Sequence, residues 1–287
     1  MIVSLKVIEE TCIRCLRCVK VCPSSIFYKD EAENLIKTRN KQYCIKYGHC
    51  VAVCPTDSVD HGDFPESKVH HIDRGLLPTP EQMMLLIKSR RSNRAFIKEP
   101  VPEEKLDMII EAAHRAPTAS NMQKVNFTLI TDPGRLHAVS AATIDIFDSL
   151  AKKLNKPLIK PIVKKLMPEV YGYLPRFEKL VGEFRNGNDI ILRNATTLLF
   201  IHSPKESRFG AEDCNLAYQN ASLMAESLGV SQFYTGFVCN AIKQDKEKRI
   251  QKLIGPDEKI YAGMAMGLTS FQYPNYIDKM DAKIKKL

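Results

Sequence analysis

A repeated cysteine motif constrains this chain more than any other feature. Seven of its nine cysteines lie in two runs that are offset by 32 residues. The first run is Cys12-Ile-Arg-Cys15-Leu-Arg-Cys18-Val-Lys-Val-Cys22-Pro23, and the second is Cys44-Ile-Lys-Tyr47-Gly-His-Cys50-Val-Ala-Val-Cys54-Pro55. The spacing C-x2-C-x2-C-x3-C-P predicts iron–sulfur clusters. A zinc ribbon or a disulfide framework would not repeat it with proline after both fourth cysteines.

In this motif three cysteines of a run hold one cluster, and the fourth reaches across to the other cluster. The first predicted ligand set is Cys12, Cys15, Cys18 and Cys54, and the second is Cys22, Cys44 and Cys50. Residues 1–70 are expected to form one domain, which over about 60 residues resembles the bacterial-type two-cluster ferredoxins. Proteins of that family carry electrons.

The second run departs from that family because Tyr47 stands in line with Cys15. In the family, such a loss implies a [3Fe-4S] cluster, or a [4Fe-4S] cluster with a labile corner iron bound by oxygen or solvent. We favour a corner without a protein ligand. A Tyr47 phenolate is one alternative, although its proton must leave a group with a pKa near ~10. The adjacent His49 is another.

Bulk properties narrow the class of protein. No apolar stretch approaches the length of a membrane helix, and Met1–Glu10 lacks the apolar region of a signal peptide. We therefore expect a cytoplasmic protein with reduced thiols and no membrane association. The net charge is +9, but the lysines are scattered and no nucleic-acid motif accompanies them. A solvated basic face is expected, and nucleic acid is not an expected partner.

The character of the chain changes near Thr79. Residues 71–80 are expected to form a linker, and residues 81–287 a second domain in which strands alternate with helices. Thr79-Pro80-Glu81 predicts a helix start. Residues 155–185 predict a charged, proline-punctuated helical insertion, and Ser231–Val238 predicts a strand.

Two polar segments of the second domain suit a phosphorylated heterocycle. Arginines and a serine in Arg90-Arg91-Ser92-Asn93-Arg94 can hold a phosphate. The amides in Thr118-Ala119-Ser120-Asn121-Met122-Gln123 suit a planar ring with mixed donors and acceptors. Each segment alone is weak, since a surface charge cluster or a turn has the same composition. Together, in this order, they resemble the nitroreductase family of FMN enzymes over residues 80–287.

The resemblance implies an α+β fold: a small ferredoxin-like domain, then a nitroreductase α+β sandwich. It also implies a homodimer with FMN at its interface. The resemblance also implies the residues that contact FMN, some of them from the partner subunit. The phosphate and ribityl chain would be held by Arg90, Ser92 and Arg94, and the phosphate, ribityl chain or ring by Thr118, Asn121 and Gln123. Asn188 would lie at the ring edge, and the backbone would approach the ring at Thr235 and Gly236.

The chain departs from the family pattern in three places, and the first departure weakens any analogy of substrate. The family often continues Asn-x-Gln-Pro-Trp, whereas this chain has Lys124 and Val125 and contains no Trp. The late phosphate-binding Arg of the family is not evident, and Lys279 is the nearest candidate. The insertion 155–185 has no clear counterpart.

The predicted function is an iron–sulfur flavoprotein oxidoreductase that passes electrons between ferredoxin-type clusters and FMN. Its acceptor would be a small nitroaromatic, quinone or enone, and its donor NAD(P)H or a ferredoxin or flavodoxin. No side chain is singled out as a dedicated acid or base. The alternative is a redox carrier or sensor with a non-catalytic flavin fold, and a third reading is a basic nucleic-acid binder.

Overall fold

The computed structural model describes residues 3–166, 168–255 and 257–287. Two compact units divide the chain. The first comprises Met1–Leu77 with Ala119–Gln123, and the second comprises Pro78–Thr118 with Lys124–Leu287.

From residue 3 onward, the first unit contains two small antiparallel sheets, two short α-helices and several 3-10 turns. In chain order its elements are β1 (Leu5–Val7), α1 (Arg17–Val21), β2 (Phe27–Asp30), β3 (Leu35–Thr38), α2 (His49–Ala52) and β4 (Val59–His61). Strand β1 pairs with β4, and β2 pairs with β3. The apolar core is small, and five of the motif cysteines pack against it half-buried. A unit with so few buried apolar side chains usually needs bound groups or cross-links for stability.

The second unit is built on one four-stranded antiparallel sheet of order β5-β6-β8-β7. Its elements are α3 (Pro80–Ser89), α4 (Glu103–His114), β5 (Asn126–Ile130), α5 (Pro133–Leu154), α6 (Lys160–Leu166), α7 (Pro168–Gly172), α8 (Leu174–Arg185), β6 (Thr197–Ser203), α9 (Gly210–Ser227), β7 (Ser231–Tyr234), α10 (Gly236–Gln244), α11 (Arg249–Ile254) and β8 (Lys259–Gly267).

Helices cover both faces of this sheet, because alternate residues of a strand point to opposite sides. Leu198 and Phe200 of β6 belong to the core shared with α5 and α8. Leu199 and Ile201 belong to the other core, with α4 and α9. All residues of β6 are buried, as expected for a central strand covered on both faces. The predicted α+β fold class is confirmed.

Local signals placed most helices correctly. The side chain of Thr79 accepts from the backbone N–H of Gln82, and the Gln82 side chain accepts from the Thr79 N–H. This capping box begins α3 where the sequence predicted a helix start. The insertion 155–185 is helical, as predicted. Among the described residues, no helix combines the length and the apolar character that crossing a membrane requires.

One predicted strand is correct over its first half and wrong over its second half. The strand expected over Ser231–Val238 ends at Tyr234, and α10 begins at Gly236. The run Phe233 to Val238 is rich in aromatic and β-branched residues, which favours a strand locally. Burial decides otherwise, because Val238 and Ala241, three positions apart, are fully buried on one face of α10.

Candidate functional site

Two separate cavities in the first unit are lined by the motif cysteines. Cys12, Cys15, Cys18 and Cys54 line the first thiol cavity. Cys22, Cys44 and Cys50 line the second thiol cavity, together with Tyr47. The two groups of side chains are the two sets that crossed ligation predicts from the sequence.

The backbone around the two cavities repeats with the same offset as the sequence. Left-handed φ angles occur at three matched pairs of positions, Arg14 with Lys46, Leu16 with Gly48, and Ser25 with Asp57. Five of these six residues are not glycine, and a left-handed backbone is strained for residues with a side chain. The last pair directs a backbone N–H group at a cysteine in each repeat. Ile26 N lies 3.4 Å from Cys22 Sγ, and Ser58 N lies 3.2 Å from Cys54 Sγ. Amides directed at sulfur stabilise thiolate charge.

Burial and hydrogen bonds shift the pKa values of these thiols in opposite directions. It raises the pKa of Cys18 and of Cys50 to about 11, so both thiols hold their protons at neutral pH unless a metal displaces them. Burial would also raise the pKa of Cys54, but hydrogen bonds from Thr56 and Ser58 outweigh it and the pKa is lowered. The donor set of the first thiol cavity therefore suits a soft, electron-poor group such as iron.

The second thiol cavity offers nitrogen and oxygen where the fourth thiol is missing. Tyr47, His49 and His61 all line it. The rings of Tyr47 and His49 meet edge to face with centroids 3.8 Å apart. Tyr47 is 42% exposed, so this side of the cavity is open to solvent.

His61 was not predicted as a site residue. Its Nδ1 accepts from the Asp63 backbone N–H at 3.2 Å, which leaves the proton of the neutral ring on Nε2. Nε2 lies 3.6 Å from Cys44 Sγ, so His61 donates to that sulfur. Burial lowers the pKa of His61 and keeps the ring neutral. No sequence signal marks this residue, because its place beside Cys44 depends on the pairing of β4 with β1.

The second unit contains a cavity of about 900 Å³, which we call the arginine cavity. It is lined by Arg94, Arg176 and Arg193, by the backbone turn at Thr235 and Gly236, and by aromatic side chains. Arg94, Thr235 and Gly236 are predicted site residues, whereas Arg176 comes from the insertion and Arg193 was not predicted.

The segment of Arg94 is fixed along the edge of the sheet. Ser92 forms a parallel bridge with Gln232 of β7. The Arg94 guanidinium donates to the Ser92 carbonyl at 3.1 Å and lies 5.1 Å from the centroid of the Phe233 ring. Arg90 is half-buried and does not line the cavity, and the same is true of Thr118.

Gly263 determines where the Thr235–Gly236 turn lies. The Thr235 N–H donates to the Gly263 carbonyl at 2.8 Å. A Cβ on Gly263 would overlap the Thr235 hydroxyl, so only glycine allows this approach. A Cβ on Gly236, by contrast, would point into open space. Backbone is thus exposed toward the arginine cavity at a point where a planar ring can approach.

The remaining predicted residues lie elsewhere. The Asn121 side chain donates to the carbonyls of Ile45 (3.4 Å) and Lys46 (2.7 Å), within the first unit and beside Tyr47. Gln123 donates to Asn121 Oδ1 at 3.2 Å, and both residues have left-handed φ angles. Asn188 donates to Glu183 at 2.9 Å and does not line the arginine cavity.

Two family models match separate parts of the chain. Residues 87–268 match the model of the nitroreductase family, and residues 4–55 match that of the 4Fe-4S dicluster domain. The fold is similar to a nitroreductase with bound FMN from Bacteroides fragilis, with 18% identity, a TM-score of 0.52, and coverage of 71% of this chain and 99% of that one. It is also similar to a nitroreductase with bound FMN from Desulfitobacterium hafniense, with 16% identity, a TM-score of 0.53, and coverage of 70% and 97%.

Among curated proteins, the chain is 34% identical over 91 residues to the archaeal-type glutamate synthase [NADPH] of Thermotoga maritima. The match covers 31% of this chain but only 17% of that protein. Both parts of the predicted family resemblance are confirmed.

Proposed function

The chain belongs to the nitroreductase family, and on that premise we propose that it is an FMN-dependent oxidoreductase with its own iron–sulfur electron relay. The observation that carries the proposal is the arginine cavity, where Arg94, Thr235 and Gly236 meet in a chain that also holds two thiol-lined cavities. Electrons pass between the clusters of the first unit and FMN in the second, and reduce a small organic acceptor.

The residues of the arginine cavity fit FMN. Gly236 leaves its backbone open to a flat ring, the ring of Phe233 supplies an apolar wall, and Arg94 supplies positive charge. Positive charge near a flavin stabilises the reduced, anionic ring. FMN exchanges electrons singly or in pairs, which matches one-electron clusters to a two-electron acceptor. We assign Arg90, Ser92 and Thr118 supporting roles at the phosphate and ribityl chain.

The residues of the thiol cavities fit two different clusters. We propose that Cys12, Cys15, Cys18 and Cys54 hold a [4Fe-4S] cluster. Cys22, Cys44 and Cys50 hold a second cluster whose fourth corner faces Tyr47 and has no protein ligand. The exposure of Tyr47 supports an oxygen or solvent ligand there.

The active form is proposed to be a homodimer. Four apolar side chains of α3 are each 41–57% exposed, namely Met83, Met84, Leu85 and Ile87. The segment after β8 has no regular structure and exposes Phe271, Tyr273 and Ile277. Apolar surface of this extent is typical of a subunit interface. Asn121, Gln123 and Asn188 lie outside the arginine cavity, and in this proposal they contact the FMN of the partner subunit across the dimer.

The test is the cofactor content of anaerobically purified protein. We expect about one FMN per chain and roughly seven or eight iron atoms, depending on the second cluster. Arg94→Ala should lose FMN and keep its iron, while Cys18→Ala should lose iron and keep FMN. A wild-type protein with full iron but no FMN would contradict the proposal and favour the carrier or sensor.

Anaerobic stopped-flow mixing identifies the electron donor of the enzyme. Rapid bleaching of the flavin by NADPH would mean that electrons enter at FMN and leave through the clusters. Bleaching only by a reduced ferredoxin or flavodoxin would support entry through the clusters.

A further inference from the structure

The arginine cavity holds two arginines besides Arg94, which is the predicted FMN contact. Arg94, Arg176 and Arg193 line it, and none of the residues that line it is acidic. Within the described part of the chain, neither Arg176 nor Arg193 forms an ion pair with a carboxylate. Arg185, on the same helix as Arg176, does pair with Asp148 at 3.4 Å. Two guanidinium groups therefore remain available to a ligand.

Packing of the insertion determines where Arg176 lies. Phe177, the next residue along α8, stacks on Phe147 of α5 with centroids 4.7 Å apart and is buried in the core. Arg176 is exposed on the cavity side, and its guanidinium lies 5.0 Å from the centroid of the Phe237 ring. A cation over an aromatic face is held in place by the charge distribution of the ring. Because Phe237 directly follows Gly236, the charge of Arg176 is held next to the proposed flavin contact.

Arg193 is positioned by a strained turn. Arg193 and Asn194 both have φ angles of 59°, a conformation that costs energy for residues with a side chain. Asp189 stabilises the turn, since its Oδ1 accepts from the backbone N–H of Ile191 at 2.8 Å and its Oδ2 accepts from Ser140 at 2.8 Å. A strained turn that is fixed from two sides, and that presents a guanidinium to a cavity, indicates a binding role.

We propose that Arg176 and Arg193 bind an acidic group of the electron acceptor. The proposal rests on the proposed function and adds the substrate class: a planar, apolar molecule that carries a carboxylate or a phosphate. The guanidinium groups bind the acid, and Phe233, Phe237 and Leu150 contact the apolar body. Arg176 of the insertion and Arg193, which follows it in the chain, thereby set acceptor specificity.

Two matched nitroaromatics test the charge preference. Para-nitrobenzoate and para-nitrobenzamide have the same ring and nitro group, and only the first is an anion. Binding to the oxidised holoenzyme is measured from the change in the absorbance spectrum of the flavin. The holoenzyme is then reduced with dithionite, and its reoxidation by each nitroaromatic is monitored under anaerobic conditions. In that step two electrons from the enzyme and two protons from solvent convert the nitro group to a nitroso group and water.

We expect the benzoate to bind more tightly than the benzamide. In Arg176→Gln and in Arg193→Gln, the dissociation constant of the benzoate should rise about tenfold, as for loss of a charge-assisted contact. That of the benzamide should change less than about twofold. The control is Lys179→Gln, which removes one exposed positive charge from α8 outside the cavity.

Three results overturn the inference: equal binding of the two compounds, equal losses for both compounds in the variants, or loss of FMN from Arg176→Gln. The last would mean that the anion is the phosphate of FMN itself. If the benzoate binds selectively but neither compound reoxidises the enzyme, the proposed function fails and the anion site stands.

Discussion

The Nε2 atom of His61 lies 3.6 Å from the Sγ atom of Cys44, inside the second thiol cavity. Hydrogen bonds to cluster sulfurs are one of the means by which a protein sets a reduction potential. The bond favours the reduced cluster, which carries more negative charge.

His61→Phe should therefore lower the midpoint potential of the second cluster. We expect a shift on the order of tens of millivolts, since ~59 mV corresponds to a tenfold change for one electron. An anaerobic redox titration followed by EPR measures it. His70→Phe is the matched control, because His70 is an exposed histidine outside both thiol cavities. An unshifted potential with intact iron content would show that the contact has no electronic effect.

Tyr47 gives the second prediction. Its side chain lines the second thiol cavity at the position where the first repeat has a cysteine. Tyr47→Cys should complete the ligand set, so the EPR signal of the second cluster should change and iron should be released more slowly to a chelator. Tyr43→Cys adds a thiol nearby but outside the cavity and should change neither. An unchanged spectrum and iron content in Tyr47→Cys would mean that the corner was never open.

The third prediction concerns Gly263, which lies against the turn at Thr235. An alanine there would force its Cβ against the Thr235 hydroxyl and displace the turn that leads to Gly236. Overpacking of this kind costs about 1–3 kcal/mol, and we expect a lower melting temperature together with loss of FMN. Gly182→Ala is the control, since its Cβ would meet open space on α8. Full FMN retention in Gly263→Ala would show that the turn does not support the cofactor.

The fourth prediction is that Glu258 makes the stability of the folded protein depend on pH. Its carboxylate accepts from Asn126 at 3.0 Å and pairs with His202 at 2.5 Å, which lowers its pKa although burial alone would raise it. A carboxyl group whose pKa is lower in the folded state stabilises the protein above its unfolded pKa. That stability is lost as the pH falls through the lowered, folded value.

Glu258→Gln should therefore be less stable than the wild type near neutral pH, and the difference should shrink on acidification below the ordinary value of 4.5. Thermal unfolding of the full chain followed by circular dichroism measures this. Glu206→Gln, at an exposed glutamate, should follow the wild-type curve. A difference between Glu258→Gln and wild type that stays constant with pH would rule out the carboxylate as its source.

Part of the molecule was predictable because its causes are local. The cysteine spacing repeats at 32 residues, and so do the left-handed residues that shape the two thiol cavities, including Arg14 and Lys46. Helix α3 begins where Thr79-Pro80-Glu81 predicted it, because the signals that start a helix act within one turn. The prediction failed at Thr235–Val238, where local strand preference yielded to burial of one face of α10.

The sequence by itself determined the cysteine repeat, the gap at Tyr47, the family of the second unit and its α+β class. Only the tertiary structure decided that His61 contacts Cys44, that Arg176 and Arg193 enter the cavity of Arg94, and that Asn121 bonds to the loop of Ile45 and Lys46. The physical reason is the range of the interactions. Spacing and capping act over a few residues, whereas these contacts join residues far apart in the chain, which meet only when strands pair and apolar faces are buried.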